Sequence, residues 1–340
     1  MAIKVAITGV GPRGRQWIKE LQSSQAFELV ACVDIDETAL AATAKSHSIS
    51  PSICYSNLEE ALEEGAECQA VLVVTPAEQH FEDCQTALSR GKAVLVEKPF
   101  TTSLAKADAL VRLADSKGIP LLVAQNYRYL RAYRTVRKLI SDGRLGQIGI
   151  VECQYYRVPH EMSAAQRQAT QSVLWGMAVH HLDAMRYVLG TEVNNVLSDD
   201  FTLSWSSLPK GASMRTMLSF DNGAQGLYTA TYESSGHEFF ESGQEFYGRF
   251  IGELATLHVF QRWLLLCERG KLPRIIRRGQ RKETEEQIIL DQFQGAIIGN
   301  GKPDITGRDN LQTIAIVEAC LRSANEKKWV NPQELLNERQ

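Results

Sequence analysis

Between Ala2 and about Asn126 the chain repeats one pattern: a short apolar run, a turn, then a segment with apolar residues at helical spacing. The runs are Ile3–Thr8, Leu29–Asp34, a short one at Ile53–Tyr55, Ala70–Thr75, Ala93–Glu97 and Pro120–Ala124. Val71–Val74 and Val94–Val96 show no polar alternation, as expected of parallel strands that helices cover on both faces. Thr102 or Ser103 is placed to cap a helix through Leu104, Leu110 and Leu113 to Gly118, and Gly91 ends the one containing Phe81 and Leu88. The spacing predicts βαβ units and a doubly wound parallel sheet over residues 1–124, an α/β domain.

Past about Leu145 the pattern turns to longer alternating strands at Ile148–Val158, Met214–Phe220, Gly226–Tyr232 and Glu245–Ile251. Asp221-Asn222-Gly223 separates two of them, and Asn-Gly supplies the positive φ of a tight hairpin. One helix is inserted over about Val173 to Leu189, with Leu174, Met177, Ala178, Leu182, Met185 and Val188 on one face. Residues 125–305 are therefore predicted as an α+β domain with a mostly antiparallel sheet, and a helix over about 306–325 is expected to pack back on the first domain.

The chain's 340 residues suit two domains, and 44% hydrophobic residues are ample for packed cores. Thirty-seven Lys and Arg against 40 Asp and Glu give a net charge of -3. No basic footprint argues for nucleic acid or anionic lipid, so small molecules and other proteins are the expected partners. No apolar run approaches the roughly 20 residues of a membrane helix, Met1 to Val10 lacks the length and cleavage pattern expected of a signal peptide, and a cytoplasmic protein is expected. The seven cysteines are scattered and never form a C-x-x-C pair, which argues against a disulfide framework or a metal site. Arg269 to Lys282 holds seven basic residues and Glu283 to Glu286 three acidic ones; a solvated hairpin tip is the simplest reading.

Three elements carry chemistry. Gly9-Val10-Gly11-Pro12-Arg13-Gly14 follows the first strand and opens a helix, and Asp34 lies 20 residues after Gly14. A diphosphate needs bare N–H groups at a helix N-terminus, and a carboxylate at that distance accepts bonds from ribose hydroxyls. Asp34 would repel a 2'-phosphate, favouring NAD over NADP, with Arg13 a partial offset. Thr75-Pro76 and Glu97-Lys98-Pro99 fall at the carboxyl edge of the parallel sheet, where open α/β folds bind ligands. Lys98 there is suited to hold a substrate oxygen while hydride moves; otherwise it is a solvated turn lysine. His180, within Gly176-Met177-Ala178-Val179-His180-His181-Leu182-Asp183, shares a helix face with Gly176 and with Asp183. An imidazole suits a base that takes an alcohol proton, although adjacent histidines on a helix are often one core and one surface residue.

With these elements in place the chain resembles the Gfo/Idh/MocA oxidoreductase family. The resemblance runs through the glycine loop, Thr75-Pro76 with His80, Gly91-Lys92, Glu97-Lys98-Pro99, Gln125-Asn126-Tyr127-Arg128, Gly143-Arg144-Leu145-Gly146, His180 with Asp183, and Ala319 to Val330. It implies a Rossmann domain followed by an open-faced sheet domain that packs against a partner subunit, as homodimer or homotetramer. It further implies a nicotinamide cofactor and sugar, polyol or related substrates. Gly9, Gly11, Pro12, Arg13, Gly14, Asp34, Thr75, Pro76, His80, Glu97 and Lys98 would hold the cofactor, and Lys98 and His180 would carry the chemistry.

Gly176 departs from the family pattern, where many members have Asp four residues before the histidine. Glycine inside a helix costs about 1 kcal/mol relative to alanine, so either it makes room for a bulkier ligand or the polyol chemistry has been lost. The leading expectation is an NAD(P)-dependent dehydrogenase or reductase; the alternative is a non-catalytic dinucleotide- or ligand-sensing regulatory protein. Arg157, His160, Trp175 and His237 are polar or aromatic residues near the expected cleft, with no contact assigned to any of them.

Overall fold

The computed structural model describes residues 1–64, 67–158, 167–168, 170–234, 247–260, 263–277 and 283–338. The chain divides into two units, residues 1–126 with 283–311 and residues 127–282 with 312–340.

The first unit alternates β1 (Ile3–Thr8), α1 (Pro12–Ser23), β2 (Phe27–Val33), α2 (Glu37–Ser46), β3 (Cys54–Tyr55), α3 (Leu58–Glu64), β4 (Ala70–Val73), α4 (His80–Ser89), β5 (Ala93–Val96), α5 (Leu104–Lys117) and β6 (Leu121–Val123). All neighbours are parallel, in the order β3-β2-β1-β4-β5-β6. Every residue of β4 and β5 is buried, which is why both read as unbroken apolar runs. Chain order reverses between β1 and β4, and such a switch point opens a crevice at the strands' carboxyl ends. After the second unit the chain returns as a helix over Glu285–Ile297, entered through a capping box between Thr284 and Gln287. Its Phe293 stacks on Phe27 at 6.2 Å.

The second unit holds α6 (Arg131–Ser141), β7 (Ile148–Tyr156), a π-helical turn (Leu174–Ala178) running into α7 (Val179–Leu189), and then β8 (Val193–Phe201), β9 (Ser213–Phe220), β10 (Gln225–Thr231), β11 (Tyr247–Gly252), β12 (Ala255–Val259), β13 (Leu264–Glu268) and β14 (Arg274–Ile276). They form one sheet, β14-β13-β12-β11-β7-β10-β9-β8, antiparallel except for β7 with β10. Period-two burial gives it one covered face: Met214, Thr216, Leu218 and Phe220 are buried while Arg215 and Met217 are exposed. Gly223, at φ +87°, turns the β9–β10 hairpin, as the Asn-Gly pair predicts.

Helices α8 (Glu285–Ile297, the returning helix), α9 (Gly307–Glu326) and α10 (Pro332–Asn337) complete the fold. The units differ from the predicted boundaries. The return to the first unit comes at Glu283, and from Gln312 onward the long helix belongs to the second. Its side chains explain this: Thr313 donates to Asp183 at 2.7 Å, and Ser323 accepts from the Ser198 amide at 2.9 Å. The basic run is a hairpin turn between β13 and β14, with Leu272 exposed at its tip, while residues 278–282 lie outside the described ones. Its acidic sequel is not all solvated, since Glu286 is 3% exposed. Among the described residues no helix is long and apolar enough to cross a membrane.

Candidate active site

Two glycines of the first loop are fixed by sterics. A Cβ on Gly9, at φ +90°, would lie 2.6 Å from the Val74 carbonyl, and one on Gly14 would lie 2.0 Å from the Gly9 oxygen. Gly11 instead faces open space, with nothing within 4 Å of its ideal Cβ. It is also the N-cap of α1, and no side chain caps that helix, so the first-turn N–H groups keep their capacity for an anion. Pro12 occupies the first helical position, where its missing N–H costs nothing. Asp34 accepts from the Val10 amide at 2.8 Å and the Asp36 amide at 3.0 Å. A carboxylate has about four acceptor sites, so Asp34 can brace the loop and still receive ribose hydroxyls. The cradle fits a dinucleotide.

The carboxyl ends of β4 and β5 are tied together. His80 places its two ring nitrogens 2.8 Å from the Thr75 and Pro99 carbonyls, and Thr75 donates to Asp83 at 2.7 Å. Of the predicted cofactor residues, His80 is thus a brace between two loops, with Pro76 on the segment it clamps. Arg13 and Glu97 find each other. Glu97 Oε1 accepts from Arg13 Nε at 2.5 Å and from Trp17 Nε1 at 2.8 Å, while Oε2 accepts from the Lys98 amide at 3.1 Å. Arg13 Nη1 reaches Glu286 and Gln16, each at 2.7 Å, and the guanidinium lies 5.1 Å from the Trp17 ring centroid. Burial disfavours the Arg13 charge, but Glu97 and Glu286 outweigh it and raise its pKa. Lys98, half-buried at the end of β5, has its pKa lowered by burial, with Glu97 opposing and Arg13 adding to the effect. Sequence spacing gave no hint of Trp17 or Glu286 in this cluster.

Lys98 belongs to the first unit and His180 to the second. His180 is 3% exposed and stacks on Tyr127 with ring centroids 3.9 Å apart. His181 is buried too, 2.8 Å from the Tyr228 hydroxyl, so neither histidine is a surface residue. Asp183 accepts a bidentate pair from Arg128 at 2.6 and 2.7 Å as well as the Thr313 bond, and Arg186 spans Thr313 and Glu192. The helix face shared by His180 and Asp183 is divided between an aromatic stack and a buried ion pair.

Gly176 lies in the π-helical turn, and the room it leaves is already taken. A Cβ there would stand 2.9 Å from the Tyr232 hydroxyl oxygen. Tyr232 is 1% exposed, packs edge-on to Tyr155, and its hydroxyl has no hydrogen-bond partner among the described residues. Burial pushes its pKa far up, so it remains a neutral phenol. A side chain is absent at 176 because an aromatic from β10's end fills the place. Arg157 donates to the Tyr155 hydroxyl at 3.3 Å and Trp175 is half-buried in the same turn as Gly176; His160 and His237 lie outside the described residues.

Comparison with known proteins agrees with this architecture. Residues 3–125 match the model of the oxidoreductase family with an NAD-binding Rossmann fold, and residues 133–270 match the GFO/IDH/MocA C-terminal domain. The chain is 24% identical to a D-apiose dehydrogenase of Paraburkholderia graminis, covering 98% of this chain and 90% of that protein. It is 24% identical to an inositol 2-dehydrogenase of Rhizobium meliloti, covering 97% and 99%. Its fold is similar to that of an oxidoreductase from Agrobacterium radiobacter solved in complex with NAD+, L-tartaric acid and magnesium, with TM-score 0.89, 18% identity, and coverage of 98% and 100%. A glycine loop with an acid-braced β2 end, a Glu-Lys-Pro corner and both matching domains place the chain in the Gfo/Idh/MocA family of NAD-binding oxidoreductases.

Proposed function

We propose that the protein is an NAD-dependent dehydrogenase acting on a CH–OH group of a sugar, polyol or related small molecule, or a reductase in the reverse direction. The observation that carries this reading is Lys98. It sits at the carboxyl end of β5 beside a Glu97 whose oxygens take bonds from Arg13, Trp17 and the Lys98 backbone amide. In this reading its ammonium binds the reacting oxygen and steadies the charge that develops there. His180, its ring plane held by Tyr127, takes the alcohol proton. When bound, the nicotinamide supplies the hydride acceptor. The relatives named D-apiose dehydrogenase and inositol 2-dehydrogenase support the substrate class.

NAD is favoured over NADP because Asp34 puts a carboxylate at the end of β2, and Arg13, the cation that could offset it, is engaged by Glu97 and Glu286. Incubation with NAD+ and a panel of polyols, aldoses and their acids should give substrate-dependent cofactor reduction. NAD binding with no reduction across the panel would overturn the enzyme reading in favour of a sensor. With a substrate in hand, oxidation should slow as pH falls through the imidazole range, because a protonated ring cannot accept a proton, and His180→Asn should remove that acid limb. An acid limb unchanged by His180→Asn would move the proton task to another group.

The open sheet face is proposed to pair with a second copy of the chain. Ile150, Met217 and Leu227 are exposed there; Met217 and Leu227 line a concavity of ≈ 750 Å³, together with the Arg215–Asp199 and Arg249–Glu152 ion pairs. An apolar patch of this kind calls for a cover, and an isologous dimer supplies one. Sedimentation should find at least a dimer that Leu227→Arg weakens; a monomeric wild type would exclude this pairing.

A further inference from the structure

We propose that the groove between α6 and β14 binds a linear polyphosphate, either free or carried by a nucleotide. The proposal is independent of the roles given to Lys98 and the first loop, because every residue it uses lies in the second unit.

The groove joins two basic stretches that are far apart in the chain. On α6, Arg131, Arg134 and Lys138 are exposed at helical spacing on one face, spread over about 10 Å of helix. Arg277 directly follows β14, within the basic run that taken alone reads as a solvated tip. All four line one concavity of ≈ 420 Å³, and Asp142 is the acid among its described lining residues. Leu139 and Ile276 supply apolar lining.

The neighbouring cations are engaged elsewhere. Glu268 meets Arg144 and Lys271, each at 3.2 Å, and Arg274 at 2.9 Å, so the start of the basic run is matched by an acid. Arg137, also on α6, donates to the Tyr187 carbonyl and lies 4.0 Å from that ring's centroid. Lys138 meets Asp142 at 2.9 Å, a solvent-screened helical pair that holds its partner weakly. Arg134 and Arg277 are exposed and have no acidic partner among the described residues. A local excess of positive charge therefore persists in a chain whose net charge is -3. Guanidinium forks bind phosphate oxygens in pairs and are more weakly hydrated than an ammonium. Three arginines and a lysine around a cavity of small-ligand size call for several anionic groups in a short length. A polyphosphate chain supplies them, whereas a single carboxylate does not.

Isothermal titration of the full-length protein with sodium tripolyphosphate and, separately, with ATP tests this at physiological ionic strength, where diffuse charge attraction is screened. Saturable binding of at least one ligand is expected, weakened about tenfold or more by Arg134→Gln combined with Arg277→Gln. Lys210→Gln with Lys328→Gln removes two exposed charges elsewhere in the second unit and should leave the affinity unchanged, which separates the groove from net charge. Gly11→Asp should also retain binding, which separates the groove from the loop proposed for the dinucleotide. Tripolyphosphate binding at least as tightly as ATP assigns the groove to the polyphosphate chain itself; tighter binding of ATP assigns it to a nucleotide. No saturable binding of either ligand, binding that survives the Arg134 and Arg277 changes, or binding lost in the lysine pair or in Gly11→Asp would overturn the proposal.

Discussion

Lys98→Ala is expected to lower turnover by about 10²–10³-fold, the loss usual when one preorganised donor to a developing oxyanion is removed, while NAD still binds. The proposed role puts Lys98 at the reacting oxygen, whereas the cradle proposed for the cofactor's diphosphate is Gly9, Gly11, Gly14 and the N-terminus of α1. The two functions therefore separate in one substitution. The wild type should also show an alkaline limb as the ammonium loses its proton. Burial lowers the Lys98 pKa, so this limb should begin below the ordinary lysine range as pH rises, and Lys98→Ala should lack it. Turnover within a factor of two of wild type would refute the role.

Arg128→Ala should be the most destabilising of the changes considered, by about 3–5 kcal/mol. Arg128 and Asp183 have side chains only 4% and 1% exposed and meet in a bidentate pair. Removing the arginine strands a carboxylate in the interior, where Thr313 and a more distant Arg186 Nη1 at 3.5 Å cannot replace it. For a chain of 340 residues the melting temperature should drop by about 4–7 °C. Arg112→Ala is the control. It breaks a solvent-screened helical pair with Asp108 and should leave the melting temperature nearly unchanged. Equal melting temperatures for the two variants would show that the buried pair contributes nothing beyond a surface one.

How much of this was legible in the sequence depends on how local the cause is. β4 and β5 are buried on both faces, and that burial is written directly as Val/Leu runs. The glycine loop and Asp34 were readable because strand, turn, helix and acid follow one another along the chain. β8 was missed because its outward positions hold Asn194, Asn195 and Asp199, which break the apolar signal. β12 to β14 were missed because strands this short gain their stability from pairing with one another.

The site divides along the same line. Lys98 and His180 stand in recognisable local contexts, but what surrounds them comes from far away. Arg13 meets Glu97 across 84 residues and Glu286 across 273. Asp183, at helical spacing from His180, is taken by an arginine 55 residues earlier. Gly176 could be read as a missing carboxylate, yet nothing in the spacing said that Tyr232 would occupy the space. Each of these is decided by which side chains tertiary packing brings together, a contest that linear spacing does not record.

The proposed chemistry requires a dinucleotide seated against the first loop. Isothermal titration of the intact protein with NAD+ tests this most directly: saturable, one-to-one binding heat is expected, abolished by Gly11→Asp, which would place a carboxylate in the open cradle. An absence of binding heat from either NAD+ or NADH, with melting temperatures unmoved by both, would contradict it.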